Sequence, residues 1–208
     1  MLLDAREVEH GSTAVFCNPT LRTPSGQLVP AQTLIIRRKR VLIEGMLEVL
    51  SISNYGTEPV DVELRADFDA DFRDIFEVRG FERTGPREPV TKDVGQRSVT
   101  FRYVGGDRIE RRTLVRFGRE PDRLTESRAV FRFTLQPREL VSIDVAVMTE
   151  RGLSEYRFNE AVALVRQQQR TWLDESTQII TDDEGVNRLL TRSLLDVQAL
   201  RGRVSGIE

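Results

Sequence analysis

The chain has 208 residues, 39% of them hydrophobic and 31% charged, and its 31 Lys and Arg nearly balance 33 Asp and Glu for a net charge of −2. That is enough chain to bury a sizeable core, and the charge balance supplies no overall field to draw it to nucleic acid or to an anionic membrane. One cysteine (Cys17) and one histidine (His10) leave almost no material for an internal disulfide, a His/Cys metal site or a Ser-His-Asp triad, and no apolar run approaches the roughly 20 residues that cross a bilayer, so a cytoplasmic protein is expected.

Thr13 to Cys17 reads as a strand ending at Asn18-Pro19, and Pro24-Ser25-Gly26 closes a loop. A basic strand from Thr33 to Leu42 follows, then one from Met46 to Ser53 that stops at the turn Asn54-Tyr55-Gly56-Thr57. Val60 to Ala70 is expected to pair with it as a hairpin. From Leu64 to Phe72 the apolar Leu64, Ala66, Phe68, Ala70 and Phe72 alternate with Arg65, Asp67, Asp69 and Asp71, which predicts a strand with one buried and one strongly acidic face. At Asp74 the alternation fails, and Ile75-Phe76-Glu77-Val78-Arg79-Gly80 reads as a turn that carries apolar anchors out of the strand and stops at glycine.

Gly85-Pro86 to Gly95 looks like a polar excursion. Strands resume at Ser98 to Val104, turn at Gly105-Gly106-Asp107, return from Ile109 to Phe117, and close with Arg128 to Leu135 and Glu139 to Met148. Many short strands without helices between them predict a mainly β fold, an antiparallel β-sandwich over residues 1–150. After Glu150 the period becomes helical. Ser154 is a candidate N-cap for Phe158, Ala161, Val162, Val165 and Trp172. Asp182 or Asp183 caps a second helix whose Val186, Leu189, Leu190, Leu194, Val197 and Leu200 form one apolar stripe. That stripe needs a partner: the sandwich, a neighbouring domain or a second copy of the chain.

Asp67, Asp69 and Asp71 at alternate positions invite comparison with a calcium loop, but Phe72 stands where such a loop needs glycine and Val78 where it needs glutamate. A solvated face paired with arginines is the favoured reading, and no metal or cofactor is expected. Asp71, Asp74 and Glu77 could in principle serve as the acid and base of a glycosidase, yet carboxylates on one short turn rarely flank a sugar from opposite sides. Asp71, Asp74, Glu77 and Arg79 are therefore candidates for binding sugar hydroxyls or for locking a neighbouring domain through bidentate pairs, with an internal Arg–carboxylate network as the alternative. Arg37, Arg38, Lys39 and Arg40 split between two strand faces and are expected to form cross-strand ion pairs. Tyr55, Tyr103, Tyr156 and Trp172 are the candidate aromatic platforms for a carbohydrate, with Trp172 better suited to helix packing. His10 and Cys17 are assigned ordinary structural positions.

The string Asp71-Phe72-Arg73-Asp74-Ile75-Phe76-Glu77-Val78-Arg79-Gly80 resembles the hallmark of the N-terminal domain of bacterial and archaeal glycogen-debranching-type (amylo-α-1,6-glucosidase-like) proteins, and only Arg73, an alanine in that hallmark, departs from it. Asn18-Pro19, the basic strand Leu34 to Arg40, Asn54-Tyr55-Gly56 with Glu58-Pro59-Val60, and the segment Asn187 to Asp196 agree in order on either side. The resemblance implies a supersandwich-like β domain, with residues 151–208 as a helical linker that opens an α/α barrel lying outside this chain and carrying the catalytic acid and base. It implies a noncatalytic module that packs on a helical catalytic domain, or on its own C-terminal helices, and contacts α-glucan. Two other readings compete: a stand-alone small carbohydrate-active hydrolase using Asp71, Asp74 and Glu77, and a homo-oligomeric interaction module.

Overall fold

The computed structural model describes residues 1–8, 11–23, 25–43, 45–82, 88–149 and 157–200. His10, Pro24, the Gly85-Pro86 pair, Glu150, Ser154 and Tyr156 lie outside the described residues. Thirteen strands occur among the described residues: β1 (Leu2–Val8), β2 (Gly11–Cys17), β3 (Leu21–Arg22), β4 (Leu28–Val29), β5 (Leu34–Leu42), β6 (Gly45–Asn54), β7 (Val60–Asp67), β8 (Thr91–Val94), β9 (Ser98–Val104), β10 (Glu110–Phe117), β11 (Arg123–Leu124), β12 (Arg128–Leu135) and β13 (Leu140–Thr149). Helix α1 (Ile75–Val78) falls between β7 and β8, and α2 (Phe158–Glu175) and α3 (Glu184–Leu200) follow β13. The chain divides into two compact units, Met1–Phe158 and Asn159–Glu208.

The first unit is a mainly β, antiparallel sandwich. An eight-stranded sheet runs β1-β2-β5-β6-β13-β10-β9-β8, a three-stranded sheet runs β11-β12-β7, and β3 pairs with β4. Alternation explains why the two main sheets stack. On β12, Ala129, Phe131, Phe133 and Leu135 share one face, and on β7 Val60, Val62, Leu64 and Ala66 do the same. One core cluster joins Ala129 and Phe131 to Val99, Phe101, Val115, Phe117 and Ile143 of the large sheet. A second joins Val60 and Leu135 to Val29, Leu34 and Ile52. Phe117 and Phe131 meet edge-on across the interface, with ring centroids 5.5 Å apart.

The hairpin expected between Met46–Ser53 and Val60–Ala70 does not form. β6 pairs with β5 and β13, whereas β7 pairs with β12 in the other sheet. The reason lies in the link between them. Asn54 is fully buried, and its amide donates to the Glu58 carbonyl at 2.8 Å and the Leu135 carbonyl at 3.0 Å while its Oδ1 accepts the Gly56 N–H at 2.8 Å. One side chain therefore ties the end of β6, the turn and the end of β12 together, and the chain leaves the large sheet for the small one. Asn18 plays a similar part: its amide donates to the carbonyls of Pro19 and Pro30, and its Oδ1 accepts the Leu34 N–H at 2.7 Å.

Short strands were the least visible in the sequence. β1, β3, β4 and β11 carry too few residues or too weak an alternation, and β8 lies inside the stretch that reads as a polar excursion. The basic run on β5 does split between faces. Arg38 and Arg40 both pair across to Glu48 of β6, Arg38 through two bonds of 3.0 Å, so that Glu48, a residue only 5% exposed, has its charge compensated. Cys17 is buried.

In the second unit, Asp183 is the cap of α3, its Oδ1 accepting the N–H groups of Gly185 and Val186 at 2.7 and 3.1 Å. Trp172 of α2 donates its indole N–H to the Leu194 carbonyl of α3 at 2.8 Å, a helix-packing role. The expected single stripe on α3 divides: Leu190 and Leu194 are half-buried, whereas Val186, Leu189, Val197 and Leu200 are exposed. Among the described residues no helix is long and apolar enough to cross a membrane.

Replacing Asn54 with Ala would strand two carbonyls and one N–H at a buried junction, and an unmade buried hydrogen bond costs about 1–3 kcal/mol. Urea unfolding of N54A should show a loss of about 2 kcal/mol or more in stability, far beyond that of the exposed neighbour Tyr55→Ala.

Candidate functional site

The acidic segment begins where β7 runs out of partner. Its ladder ends at Asp67 because β12 begins opposite, at Arg128; one residue on, the Phe68 N–H donates to the Ser127 carbonyl at 3.0 Å. Asp69 and Asp71 therefore lie beyond the strand, not on a continuous acidic sheet face. The two-residue period nevertheless persists. Phe68, Ala70 and Phe72 pack against the first core cluster, with Phe68 facing Phe101 and Phe117 at 6.2 and 5.8 Å and Phe72 stacked on Tyr103 at 5.3 Å. These three residues, rather than Ile75 and Phe76, are the apolar anchors of the segment.

Phe72 ends the extended run with φ +48°, a left-handed conformation that costs a side-chain-bearing residue about 1–2 kcal/mol. The stacked ring holds it there. The chain then enters α1, a single helical turn whose two ends are both closed. Asp74 is the N-cap: its Oδ1 accepts the N–H groups of Phe76 and Glu77 at 2.8 and 2.9 Å, and Glu77 Oε2 returns a bond from the Asp74 N–H at 3.0 Å. At the other end the Gly80 N–H donates to the Glu77 carbonyl and the Phe81 N–H to the Phe76 carbonyl, a Schellman closure. It needs a left-handed residue after the cap, which Gly80 supplies at φ +92°. The Phe76 and Phe81 rings meet edge-on at 6.0 Å, completing it.

The sequence-predicted site residues therefore take distinct places. Asp74 and Glu77 are bound to the helix's own backbone, Arg79 is its C-cap, and Asp71 faces Arg73, with Oδ1 3.2 Å from the backbone N and Oδ2 3.3 Å from Nε. Asp67 pairs with Arg128 and Asp69 with Lys92 at 3.0 Å. The carboxylates diverge onto separate cations and N–H groups instead of converging on a common point. Among the described residues no three metal-ligating side chains come together. Of the aromatic candidates, Tyr55 is exposed, Tyr103 is buried under Phe72, and Trp172 serves the helix pair.

Two features escaped the sequence reading. Lys92, on the unforeseen β8, holds Asp69 and sits 5.3 Å over the Phe101 ring. The second is the outward face of α1: the helix buries no residue, and Ile75, Phe76, Val78 and Phe81 are 57%, 60%, 66% and 64% exposed. Four large apolar side chains thus stand in water on a turn whose backbone is closed at both ends.

Asp74→Ala should remove the cap, worth about 1 kcal/mol, and hydrogen exchange at the Phe76 and Glu77 amides should accelerate while the melting temperature barely moves, because α1 buries nothing. The bond from Lys92, with a smaller one from the Ala70 N–H, holds Asp69 below the usual aspartate range, and Arg128 does the same for Asp67. Lowered values mean that these pairs stabilise the fold fully above the ordinary aspartate range and cease to do so as the pH falls through the lowered values. An NMR titration of Lys92→Met should return the Asp69 midpoint toward that of a free aspartate and leave Asp67 unchanged.

A family described as the N-terminal domain of (some) glycogen debranching enzymes matches residues 1–146. No curated protein matches. Among solved structures, a protein described as a kojibiose phosphorylase from human microbiome superposes with a TM-score of 0.45 at 12% identity, covering 90% of this chain and 23% of that one. A polysaccharide lyase superposes with a TM-score of 0.38 at 15% identity, covering 72% of this chain and 27% of the other. This chain thus spans about a quarter of the length of either structure. With all but the last residues of its sandwich and the whole Asp71–Gly80 turn inside the matched residues, the chain belongs to the family of N-terminal domains of glycogen debranching enzymes.

Proposed function

We propose that this chain is a noncatalytic module that packs against the helical catalytic domain of a debranching-type glycoside hydrolase, with the turn at residues 71–81 as the contact and α-glucan reached along its polar rim. The observation that carries this reading is the pairing of rigidity with exposure on α1. A turn closed by a capping box and a Schellman motif has already lost its backbone freedom, so the docking of Ile75, Phe76, Val78 and Phe81 costs little further entropy. Exposed apolar side chains rimmed by charges fit a protein contact better than they fit solvent. Asp71 and Arg79 form that rim. Hydrolysis by the chain alone is disfavoured by the geometry, since Asp74 and Glu77 are committed to backbone N–H groups and cannot flank a glycosidic oxygen without opening the helix. A reducing cytoplasmic setting suits the buried, unpaired Cys17.

The open side of α3 favours self-association as a second reading, because Val186, Leu189 and Val197 recur on one helical face and are exposed. A concentration-independent monomer in sedimentation equilibrium would remove it.

The purified chain should release no glucose from an α-1,6-branched glucan, and turnover that disappears in Asp71→Ala or Glu77→Ala would overturn the proposal. The double substitution Phe76→Ser, Val78→Ser should leave the melting temperature of this chain within about 2 °C, since surface changes lie within about 0.5 kcal/mol, while lowering the stability and activity of a polypeptide that carries both this module and a catalytic barrel.

A further inference from the structure

The outer face of the three-stranded sheet carries a second constellation. In the register of β7, β12 and β11, Val130 stands between Arg65 on one side and Arg123 on the other, and the flanking rungs pair Arg132 with Glu63 and Arg128 with Asp67. All of these side chains except Asp67, with Thr125 and Ser127, line an open cavity of about 470 Å³. Val130, 7% exposed, is its apolar floor, screened by the stems of the surrounding arginines.

The charges in the cavity are organised rather than cancelled. Glu63 accepts the Arg65 Nε–H at 2.7 Å and the Arg132 Nε–H at 2.8 Å, and Nη2 of each lies 2.6 and 2.8 Å from the same oxygens, so one carboxylate orients two guanidinium planes and leaves their outer N–H groups unspent. Both bonds hold Glu63 below the usual carboxylate range, so this frame stays charged at neutral pH. Arg128 is held by Asp67. The Arg123 side chain makes no hydrogen bond or ion pair with any described residue. Asp122 lies outside the lining, its Oδ2 accepting the Arg132 backbone N–H at 2.7 Å. In the lining four guanidinium groups face one carboxylate, Glu63, and Asp67, bound to Arg128 from outside it, offsets one more charge, so the excess of about two to three positive charges suits the charge of −1.5 to −2 on a phosphate monoester.

We propose that this groove is a binding site for a phosphoryl group, carried by a small hydroxylated molecule such as a hexose monophosphate. Planar guanidinium groups bind phosphate oxygens in bidentate fashion, with Arg123 and the unspent N–H groups of Arg65 and Arg132 as donors. The Thr125 and Ser127 hydroxyls stand beside them for the polar remainder of the ligand. The cavity has the volume of a small-molecule site, and its lining has no aromatic ring on which a nucleobase could stack. The site is independent of the docking turn, and its test does not pass through hydrolysis.

The test is an NMR titration of the full chain, following arginine Nε–H signals at constant ionic strength, with inorganic phosphate, glucose 6-phosphate and uncharged glucose as probes. Saturable shifts at Arg65, Arg123 and Arg132 are expected with both phosphates and none with glucose. Tighter binding of glucose 6-phosphate identifies the monoester as ligand, and equal binding reduces the site to inorganic phosphate. Arg123→Ala should weaken binding about tenfold, the loss of one charge-assisted contact, with an unchanged fold because the side chain holds nothing in place, while Lys39→Ala on the other sheet should have no effect. Shifts that fail to saturate in the millimolar range, or an affinity equal in Arg123→Ala and the parent chain, would overturn the assignment.

Discussion

Everything on the surface of this sandwich depends on one buried contact, the stacking of the small sheet on the large one through Phe131, Phe117 and Phe101. Because successive strand side chains point to opposite faces, committing Ala129, Phe131, Phe133 and Leu135 inward commits Arg128, Val130 and Arg132 outward. The same rule on β7 sends Leu64 and Ala66 in and Glu63, Arg65 and Asp67 out. A buried phenylalanine truncated to alanine typically costs 3–5 kcal/mol, so a register slip that turned this face over would forfeit several times the worth of any surface ion pair. The arginine lattice is thus positioned by hydrophobic packing, and its own ion pairs orient only the guanidinium tips.

The same contact reaches past the end of β7. Phe68, Ala70 and Phe72 keep to the inner face after the ladder has lost its partner, held by ring contacts with Phe101, Phe117 and Tyr103 instead of by backbone hydrogen bonds. Burial of these rings keeps an otherwise unpaired segment extended and delivers Asp74 to a defined place, where the capping box can form. The carboxylates between the anchors are placed outward by exclusion, and each finds the cation its position allows: Arg128, Lys92 or Arg73. Acidity in this segment is therefore a by-product of alternation more than a concentration of charge at one point.

Period, turn chemistry and capping residues made much of this legible in the sequence. The alternation of Leu64 to Phe72 shows which residues are buried, and the strands at Ser98 and Arg128 stand close to their final bounds. Strand pairing was not legible: nothing in Met46–Ser53 or Val60–Ala70 says that they belong to different sheets, because that depends on the Asn54 amide reaching the Leu135 carbonyl, 81 residues away. Nor could the residues of the arginine groove be grouped beforehand, since Arg65, Arg123 and Arg132 meet only through the register of three strands. The hallmark string presented a subtler difficulty. Its carboxylates look chemical, yet Asp74, Glu77 and Gly80 are the residue types that close a one-turn helix, and Asp followed three residues later by Glu is a capping signature before it is a catalytic pair.

A helix of four residues that buries none of them is closed by an unusual number of specific residues. An isolated helical turn is unfavourable, since several dihedral angles are fixed for a single hydrogen bond. Here the Asp74 cap, the Glu77 return bond, the Gly80 closure and the Phe76–Phe81 contact together offset that nucleation cost, and the Phe72 anchor removes the remaining freedom at its base. The product is a rigid presentation of Ile75, Phe76, Val78 and Phe81 to the outside. For the stability of the sandwich alone these apolar side chains would do better as polar ones, because exposed they gain nothing from burial. Under the proposed docking role the burial of that face would be completed by another surface, and preordering would transfer the entropic cost of docking from the moment of association to the folding of this chain.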